Sequence, residues 1–453
     1  MNPTFHYFDD VKRIGLFGLG RSNLSVMKLL PKNIPIILRS ENPIKKESLP
    51  RGIKPLCIYE GENAFRDLNE DLIFFSPSVR RERGELDAAR RSGVKFSSDL
   101  EFFLAENKSK LIGISGSDGK STTATLTALL LEEKLGQTLP IGNIGKPFCE
   151  ALLKKKEILA AEISSFSLRY ATPFTERAAI TNITANHLNW HKDFDEYKNT
   201  KLSLLKNTKN AVISADDGLL CEFAKSNSVY AVTSITKSAD ELKGAFNAEL
   251  CYTLENGYIC RNEKSLFPVS SVAKKEKHNL KNLLCAMALT DGLVSLEYAE
   301  GVAKSFRGLE HRCQTVSSEN GVLTIDSSID TTPARSAQTI SSLGEDLIVI
   351  LGGRGKSSDY KELYEPLQKH AKLAVITGEN RNEIAKDIIG ATEKIICESF
   401  EDAVIYALSV AESGDTVLLS PASTSYDGFE NFEKRGEKFK EIVLNFYDKK
   451  ATN

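Results

Sequence analysis

Short apolar runs recur along this chain, and each one ends in a polar or glycine-rich piece. The first, Ile14–Phe17, meets the turn "GLG". A stretch with Leu24, Met27 and Leu30 at helical spacing follows it. "IPIILRS" and "DLIFFSPSV" read as further strands of this block. A second block opens at "LIGISGSDGK" and continues through the strand-like runs "EILAAEIS", "RAAITNIT" and "NAVISADD". A third follows "SFRGLEHRC", with "GVLTID", "DLIVILGG", "LAVITG" and "DTVLLSP". Strands alternating with helical stretches predict parallel sheets, so the expected class is α/β in three domains, 1–97, 98–307 and 308–453. Ligands in such sheets sit at the carboxyl ends of the strands, where the polar pieces of this chain fall. There is no tandem repeat and no low-complexity segment.

At 453 residues the chain is too long for one ordinary core. Its 59 Lys+Arg and 61 Asp+Glu nearly cancel, so no global charge draws it to nucleic acid or anionic lipid. No apolar run is long enough to span a bilayer, and the start "MNPTFHYFDDVKR" has no apolar signal core. A cytoplasmic protein is expected. Its eight scattered cysteines form no CxxC pair and read as free thiols.

The sharpest local signal is "IGISGSDGKSTTATLTALLLEE", a strand, a loop and a helix. Backbone N–H groups of a glycine turn, with the N-terminus of the next helix, bind phosphate. Gly116 and Gly119 allow the close approach. Lys120 would neutralise phosphate charge, and Ser121 or Thr122 would offer a hydroxyl to Mg²⁺. The plain alternative is a glycine turn before a Ser/Thr helix cap. The glycines are three apart, and the common G-x-x-x-x-G-K-[ST] spacing would need a glycine at Ile114. Glu162 ends another apolar run beside Ser164. Taken alone it is a loop carboxylate; beside a phosphate loop it is a candidate Mg²⁺ ligand. His187 follows the run "AITNIT" and in isolation reads as a surface or core histidine. Lys201 falls in "YKNTKL", where several lysines also suit a solvated face.

Taken together, "GSDGKST", "NIG" at Asn143–Gly145, "EISSFSL", "NHLNWH" and "YKNTKL" resemble the Mur ligases in order and interval. "HNLKN", "GLEHRC", "DSS", "LGGRGK" and "LLSPASTSYDGFENFEKRGEKF" extend the resemblance over nearly the whole chain. The short glycine spacing belongs to that family. The resemblance implies a Rossmann-like first domain for a UDP-substrate, a central P-loop-type ATP domain and a Rossmann-like third domain for the amino acid. It points to the branch that adds D-glutamate to UDP-N-acetylmuramoyl-L-alanine through an acyl phosphate, releasing ADP and phosphate, and to a monomer. It implies ATP, two Mg²⁺ ions and a carbamylated Lys201, with Lys198 one helical turn away as the competitor. Ser121, Thr122 and Glu162 would hold one metal; His187 and Lys201 would serve the second, and Lys120, His187 and Lys201 the chemistry. Asn279 and Asn282 match adenine-side residues, although a helix cap is open for Asn279. Arg312 and Asp326 match contacts to phosphate and ribose. Asn143 and Ser164 match contacts to the muramoyl-alanine part, and Lys356, Ser425 and Phe432 the D-glutamate pocket.

The first block carries "GLFGLGRSN", with Asn23 where a dinucleotide fingerprint has its third glycine. By the resemblance, Gly18, Gly20, Arg21 and Ser22 face a UDP pyrophosphate, and Arg39 lies near uracil or phosphate. Two departures stand out. Ser117-Asp118 replaces a common Thr-Asn. "DSSIDTT" replaces D-S-K-A-T, which puts Ser328 at the lysine and Asp330 at the threonine. The rival readings are another amino-acid ligase of this superfamily, a nicotinamide oxidoreductase built on Gly18–Ser22, and a nucleotide-binding regulatory protein.

Overall fold

The computed structural model describes residues 5–44, 49–50, 52–153, 156–355 and 359–451. Three sheets carry the fold, and the chain divides into two compact units, Met1–Phe306 and Arg307–Asn453. The first unit holds two of the sheets. One is five-stranded and parallel, in the order Cys57–Glu60, Ile36–Ser40, Ile14–Phe17, Leu72–Phe75, Lys95–Ser97. All four residues of Ile14–Phe17 and of Leu72–Phe75 are buried, as expected for central strands covered on both faces.

The second sheet has nine strands. Its parallel part runs Ala248–Glu255, Val229–Ser234, Thr208–Ser214, Thr175–Ile180, Lys110–Ser115, Ile158–Glu162, Ile141–Gly142. Tyr258–Arg261 and Lys264–Pro268 extend one edge as antiparallel strands. Register decides what shares the carboxyl end: Ile114 pairs with Glu162, and Ser115 with Ile180. The phosphate loop, Glu162 and the Thr181 segment therefore leave the sheet side by side. Helix Lys120–Leu135 starts directly from the loop, with Gly119 in the left-handed region at its N-terminus. Helix Phe194–Lys206 is capped by Asp193, whose side chain accepts from the Glu196 N–H, and acidic residues fill its first turn.

The second unit holds a six-stranded sheet, ordered Gln314–Glu319, Val322–Asp326, Thr416–Leu419, Leu347–Gly352, Ala371–Thr377, Glu393–Ile396. Only its first pair is antiparallel. Helix Phe432–Ala451 closes the chain. All eight cysteines are free thiols.

Candidate active site

The phosphate loop is shaped by what surrounds its glycines. Gly116 has φ +143°, and a Cβ there would lie 1.9 Å from Thr181 Oγ1. Gly119 has φ +77°, and its Cβ would meet Asn282 Oδ1 at 2.2 Å. Neither position tolerates a side chain. Thr181 and Asn182 fasten the loop from the neighbouring strand: the Thr181 hydroxyl donates to the Asp118 carbonyl, and Asn182 Oδ1 accepts from the Asp118 N–H at 2.9 Å. This holds Asp118 by its backbone and leaves the residue exposed. Ser117 is buried; its hydroxyl lies 2.8 Å from Tyr197 Oη and donates to the Thr184 carbonyl at 2.9 Å.

Two amines converge on this loop. Lys120 Nζ donates to the Ser117 carbonyl at 2.6 Å, and Lys201 Nζ to the Gly116 carbonyl at 2.6 Å. Lys201 is 1% exposed. Burial, and then the positive charge of Lys120, push its pKa well below the ordinary lysine value, against the pull of Glu162 and Asp118. Lys198 points outward and pairs with Asp195 at 2.7 Å. The ambiguity between the two lysines is a matter of helix face, and the buried face belongs to Lys201.

Glu162 is fully buried. Its Oε1 accepts from Asn143 Nδ2 at 2.8 Å, while its Oε2 is buried and accepts no hydrogen bond. A buried carboxylate oxygen left over in this way is costly unless a donor or cation takes it. Ser121 and Thr122, half-buried in the first turn of the helix, complete a hard-oxygen donor set. Few protein ligands, all oxygen, suit Mg²⁺, which keeps waters and phosphate oxygens in its shell. His187 lies on an exposed loop with φ +55°, its ring 4.9 Å from that of Phe166. Ser164 caps helix Ser165–Leu168 by accepting from the Ser167 N–H.

Several expectations change. Arg39 is fully buried: Nε pairs with Glu70 at 2.5 Å, and its terminal nitrogens donate to the carbonyls of Ala64, Arg66 and Asp67. With its donors spent inside the first sheet's core, it cannot meet uracil or phosphate. Asn282 turns its Oδ1 to the loop and accepts from Thr123 Oγ1 at 3.3 Å, which makes it a support for Gly119 rather than an open adenine contact. Asn279 is not the cap of helix Lys277–Thr290; Glu276 occupies that position, and Asn279 Nδ2 donates to its carboxylate at 2.9 Å. Asn143 serves Glu162, as above. Asp326 is fully buried. One of its oxygens lies 2.7 Å from His311 Nδ1 and the other accepts from the Ser328 N–H at 2.9 Å, so the buried carboxylate is turned to the protein interior and not presented to a ribose.

In the first sheet, Gly18 is at φ +78° and Gly20 follows it, with the Ser76 side chain packed close to both. Arg21 Nη2 donates to the Gly145 carbonyl at 2.5 Å, and the Ser22 hydroxyl lies beside the carboxyl of Asp99. In the second unit, Arg312 is exposed and Ser425 buried. The Phe432 carbonyl accepts from Ser328 Oγ at 2.8 Å. Lys356 lies outside the described residues. Arg435 went unnoticed in the sequence although it stands inside the quoted C-terminal stretch. It is 1% exposed and donates to Ser328 Oγ and to the carbonyls of Ser328 and Ser423, each at 3.0 Å.

Comparison with known proteins agrees with this geometry. Residues 114–290 match the Mur ligase middle domain, and residues 311–423 the Mur ligase glutamate ligase domain. The UDP-N-acetylmuramoylalanine–D-glutamate ligase of Clostridium botulinum (strain 657 / Type Ba4) is 32% identical over 98% of this chain and 99% of its own length. The enzyme of that name from Clostridium tetani is 33% identical over 98% and 100%. Among solved structures, the UDP-N-acetylmuramate-alanine ligase of Thermotoga maritima aligns over 96% of this chain and 99% of its own, with a TM-score of 0.57 at 18% identity. The murein peptide ligase of Psychrobacter arcticus aligns over 95% and 98%, with a TM-score of 0.51 at 15% identity. These two share the fold. From the full-length relatives and both matched domains, the chain belongs to the Mur ligase family, in its UDP-N-acetylmuramoylalanine–D-glutamate ligase branch.

Proposed function

We propose that this chain joins D-glutamate to the alanine carboxylate of UDP-N-acetylmuramoyl-L-alanine at the expense of ATP, a step of peptidoglycan precursor synthesis. The observation that carries the reading is the convergence of Lys120, Lys201 and the half-satisfied Glu162 on one glycine loop. The γ-phosphoryl group passes to the alanine carboxylate, giving ADP and an acyl phosphate. The amine of D-glutamate then attacks the acyl carbon and loses a proton, and the C–O bond to phosphate breaks as the amide forms. No enzyme nucleophile is required. The chain's part is orientation and charge neutralisation between anions that repel.

Gly116–Lys120 would bind the phosphates through backbone N–H groups and the Lys120 ammonium. Ser121, Thr122 and Glu162 would hold Mg²⁺, which supplies charge neutralisation between the phosphates. A second Mg²⁺, with His187 as a ligand, belongs to the same reading. So does carbamylation of Lys201. CO₂ adds only to a neutral amine, and the depressed basicity of Lys201 favours that form; the N–C bond forms, a proton leaves, and an anionic oxygen ligand results. Gly18–Ser22 would receive the uridine diphosphate, residues 98–307 the ATP, and residues 308–453 the amino acid, with Ser425, Phe432 and Lys356 in its pocket. A cytoplasmic monomer completes the reading; among the described residues no helix is long and apolar enough to cross a membrane.

The test is phosphate release from ATP with UDP-N-acetylmuramoyl-L-alanine and, in separate reactions, D-glutamate, L-glutamate, L-lysine or meso-diaminopimelate. Turnover with D-glutamate alone is expected. Turnover only with another amino acid would overturn the assignment of the third block and keep the ATP site.

A further inference from the structure

Five rings form one continuous run of tilted and edge-to-face contacts in the first unit. Phe166 touches His187 and Trp190 at 4.9 and 4.6 Å between centroids, Trp190 touches His191 at 4.7 Å, and His191 touches Tyr197 at 5.2 Å. One end of the run reaches the ATP loop: Tyr197 Oη is 2.8 Å from Ser117 Oγ, and Lys201 Nζ lies 4.7 Å from the Tyr197 ring centre. The other end is fastened to the first sheet. Trp190 Nε1 donates to the Ser78 carbonyl at 2.9 Å, Arg80 Nη1 donates to the Trp190 carbonyl at 2.8 Å, and the guanidinium sits 5.5 Å from the indole centre.

Ser78 and Arg80 belong to the segment that leaves strand Leu72–Phe75. That segment begins at Ser76, whose side chain packs on Gly18 and Gly20. It therefore touches the loop assigned to the UDP-substrate at one end and the His187 loop at the other. A charged brace runs alongside. Glu82 takes Tyr170 Oη at 2.7 Å and Arg169 at 3.1 Å, and Arg169 also reaches Glu196 at 3.3 Å. Pairs of this kind, all partly exposed, contribute little one by one. Their common geometry is what matters, because Glu196 also lies 3.3 Å from His191 Nδ1 and so ties the brace to the loop that begins at the left-handed His187.

We propose that Trp190 and Arg80 are positioning residues: they hold the His187–His191 loop, and through Tyr197 the ATP loop, in register with the UDP-substrate loop, so that filling of Gly18–Ser22 is transmitted to the ATP site. The inference rests on the ligase reading above. Rigid placement of a reacting pair matters because a displacement of about 1 Å can cost on the order of 100-fold in rate. Trp190 is the chain's single tryptophan, so selectively excited tryptophan emission reports on the surroundings of this one indole.

The experiment uses the full chain and the variants Arg80→Ala, Arg80→Lys, Trp190→Phe and Arg80→Ala/Trp190→Phe. In both alanine and phenylalanine singles, kcat is expected to fall about tenfold or more while KM for ATP and for UDP-N-acetylmuramoyl-L-alanine stays within about threefold. The double variant should be no worse than the poorer single, because both loosen the same attachment of the loop to the 76–80 segment, and Arg80→Lys should recover part of the rate. Wild-type emission should shift when the UDP-substrate is added without ATP, and the shift should vanish in Arg80→Ala. Melting midpoints separate this from mere packing: a rate loss that only follows loss of folded protein overturns the proposal. So do variants with wild-type kcat, or an emission unmoved by the substrate. Wild-type turnover beside unimpaired variants overturns this inference alone; a wild-type chain that releases no phosphate overturns the ligase reading and this inference with it.

Discussion

Asp99→Asn is expected to stabilise the protein above pH 6 and to lose that advantage in acid. Asp99 opens helix Asp99–Glu106 and is 2% exposed. Its Oδ1 accepts no hydrogen bond. Burial pushes its pKa from 3.8 up to about 6, against the opposing effect of the Ser22 hydroxyl and nearby backbone N–H groups. A helix N-terminus favours an anion by roughly 0.3–1 kcal/mol, so desolvation wins here. The sign follows from the folded value lying above the unfolded one. Below pH 3.8 the carboxyl is protonated in both states and its contribution is fully present. Between 3.8 and about 6 the unfolded chain loses its proton first, and stability falls. Above about 6 both states are ionised and the loss is complete. At 1.36 kcal/mol per pH unit the interval amounts to roughly 3 kcal/mol, of which roughly 2 kcal/mol lies between pH 4.5 and 8. The amide of asparagine does not titrate, so the variant lacks this dependence. Urea unfolding of both proteins at pH 4.5, 5.5, 6.5 and 8 measures the difference directly. A stability difference independent of pH would refute the reasoning, since Asp99 would then ionise in the fold as freely as in water.

Gly116→Ala is expected to abolish ATP-dependent phosphate release, because its Cβ would lie 1.9 Å from Thr181 Oγ1 and 3.0 Å from the Thr181 backbone nitrogen. Gly257→Ala, at φ +80° with open space around it, should cost only about 1–2 kcal/mol in unfolding free energy and leave turnover intact. Lys201→Met should lower kcat by at least ~100-fold, whereas Lys198→Ala, which breaks only the outward pair with Asp195, should stay within about twofold in the same assay. Ser328→Lys, which restores the lysine of the family pattern, should lower the melting midpoint sharply and cost more than about 3 kcal/mol. Ser328 is fully buried and its hydroxyl accepts from Arg435 Nε, so a lysine there would lose that bond and set a second cation against the guanidinium, with only the already engaged carboxylates of Asp326 and Asp330 nearby. A well-folded Ser328→Lys variant with an unchanged midpoint would contradict that account.

What the sequence made legible were features written in consecutive residues. Apolar runs located the central strands, and the glycine loop with its Lys-Ser-Thr start marked the candidate phosphate loop on which Lys120 and Lys201 converge. The resemblance favoured Lys201 over Lys198, but the letters gave no physical reason for it, since a helix with lysines on two faces does not announce which one is buried. Arg39 looked like a strand-end cation open to a ligand; its partners Ala64, Arg66, Asp67 and Glu70 lie 25 to 31 positions away and are brought to it by the next crossover. Asp326 misled for the same reason, because His311 reaches it from across an antiparallel pair. The changed loop at Ser328 became intelligible only once Arg435, 107 positions later, was seen to end on it.

Asn23 points to a rule that all three sheets obey. It stands where a dinucleotide fingerprint would place glycine, and its Nδ2 lies within 3.1 Å of the carbonyl oxygens of Phe17, Gly18 and Phe74. It pegs the first loop to two strands. In the second sheet Thr181, Asn182 and Asn282 peg Gly116–Gly119 from a neighbouring strand end and a distant helix. In the third, Arg435 pegs the segments at Ser328 and Ser423, and Asn380 Oδ1 takes the Gly353 N–H at 2.9 Å. Glycine loops need such pegs. They allow a phosphate to approach the backbone, but fixing each residue costs roughly 1–2 kcal/mol of chain entropy, and glycine carries the largest share. A buried hydrogen bond returns about 0.5–1.5 kcal/mol, so two or three pegs offset part of the ordering of a short loop. The pegs are polar, and most bond backbone that is remote in sequence, which makes them read as anomalies in one dimension. Their chemistry is that of the backbone they hold.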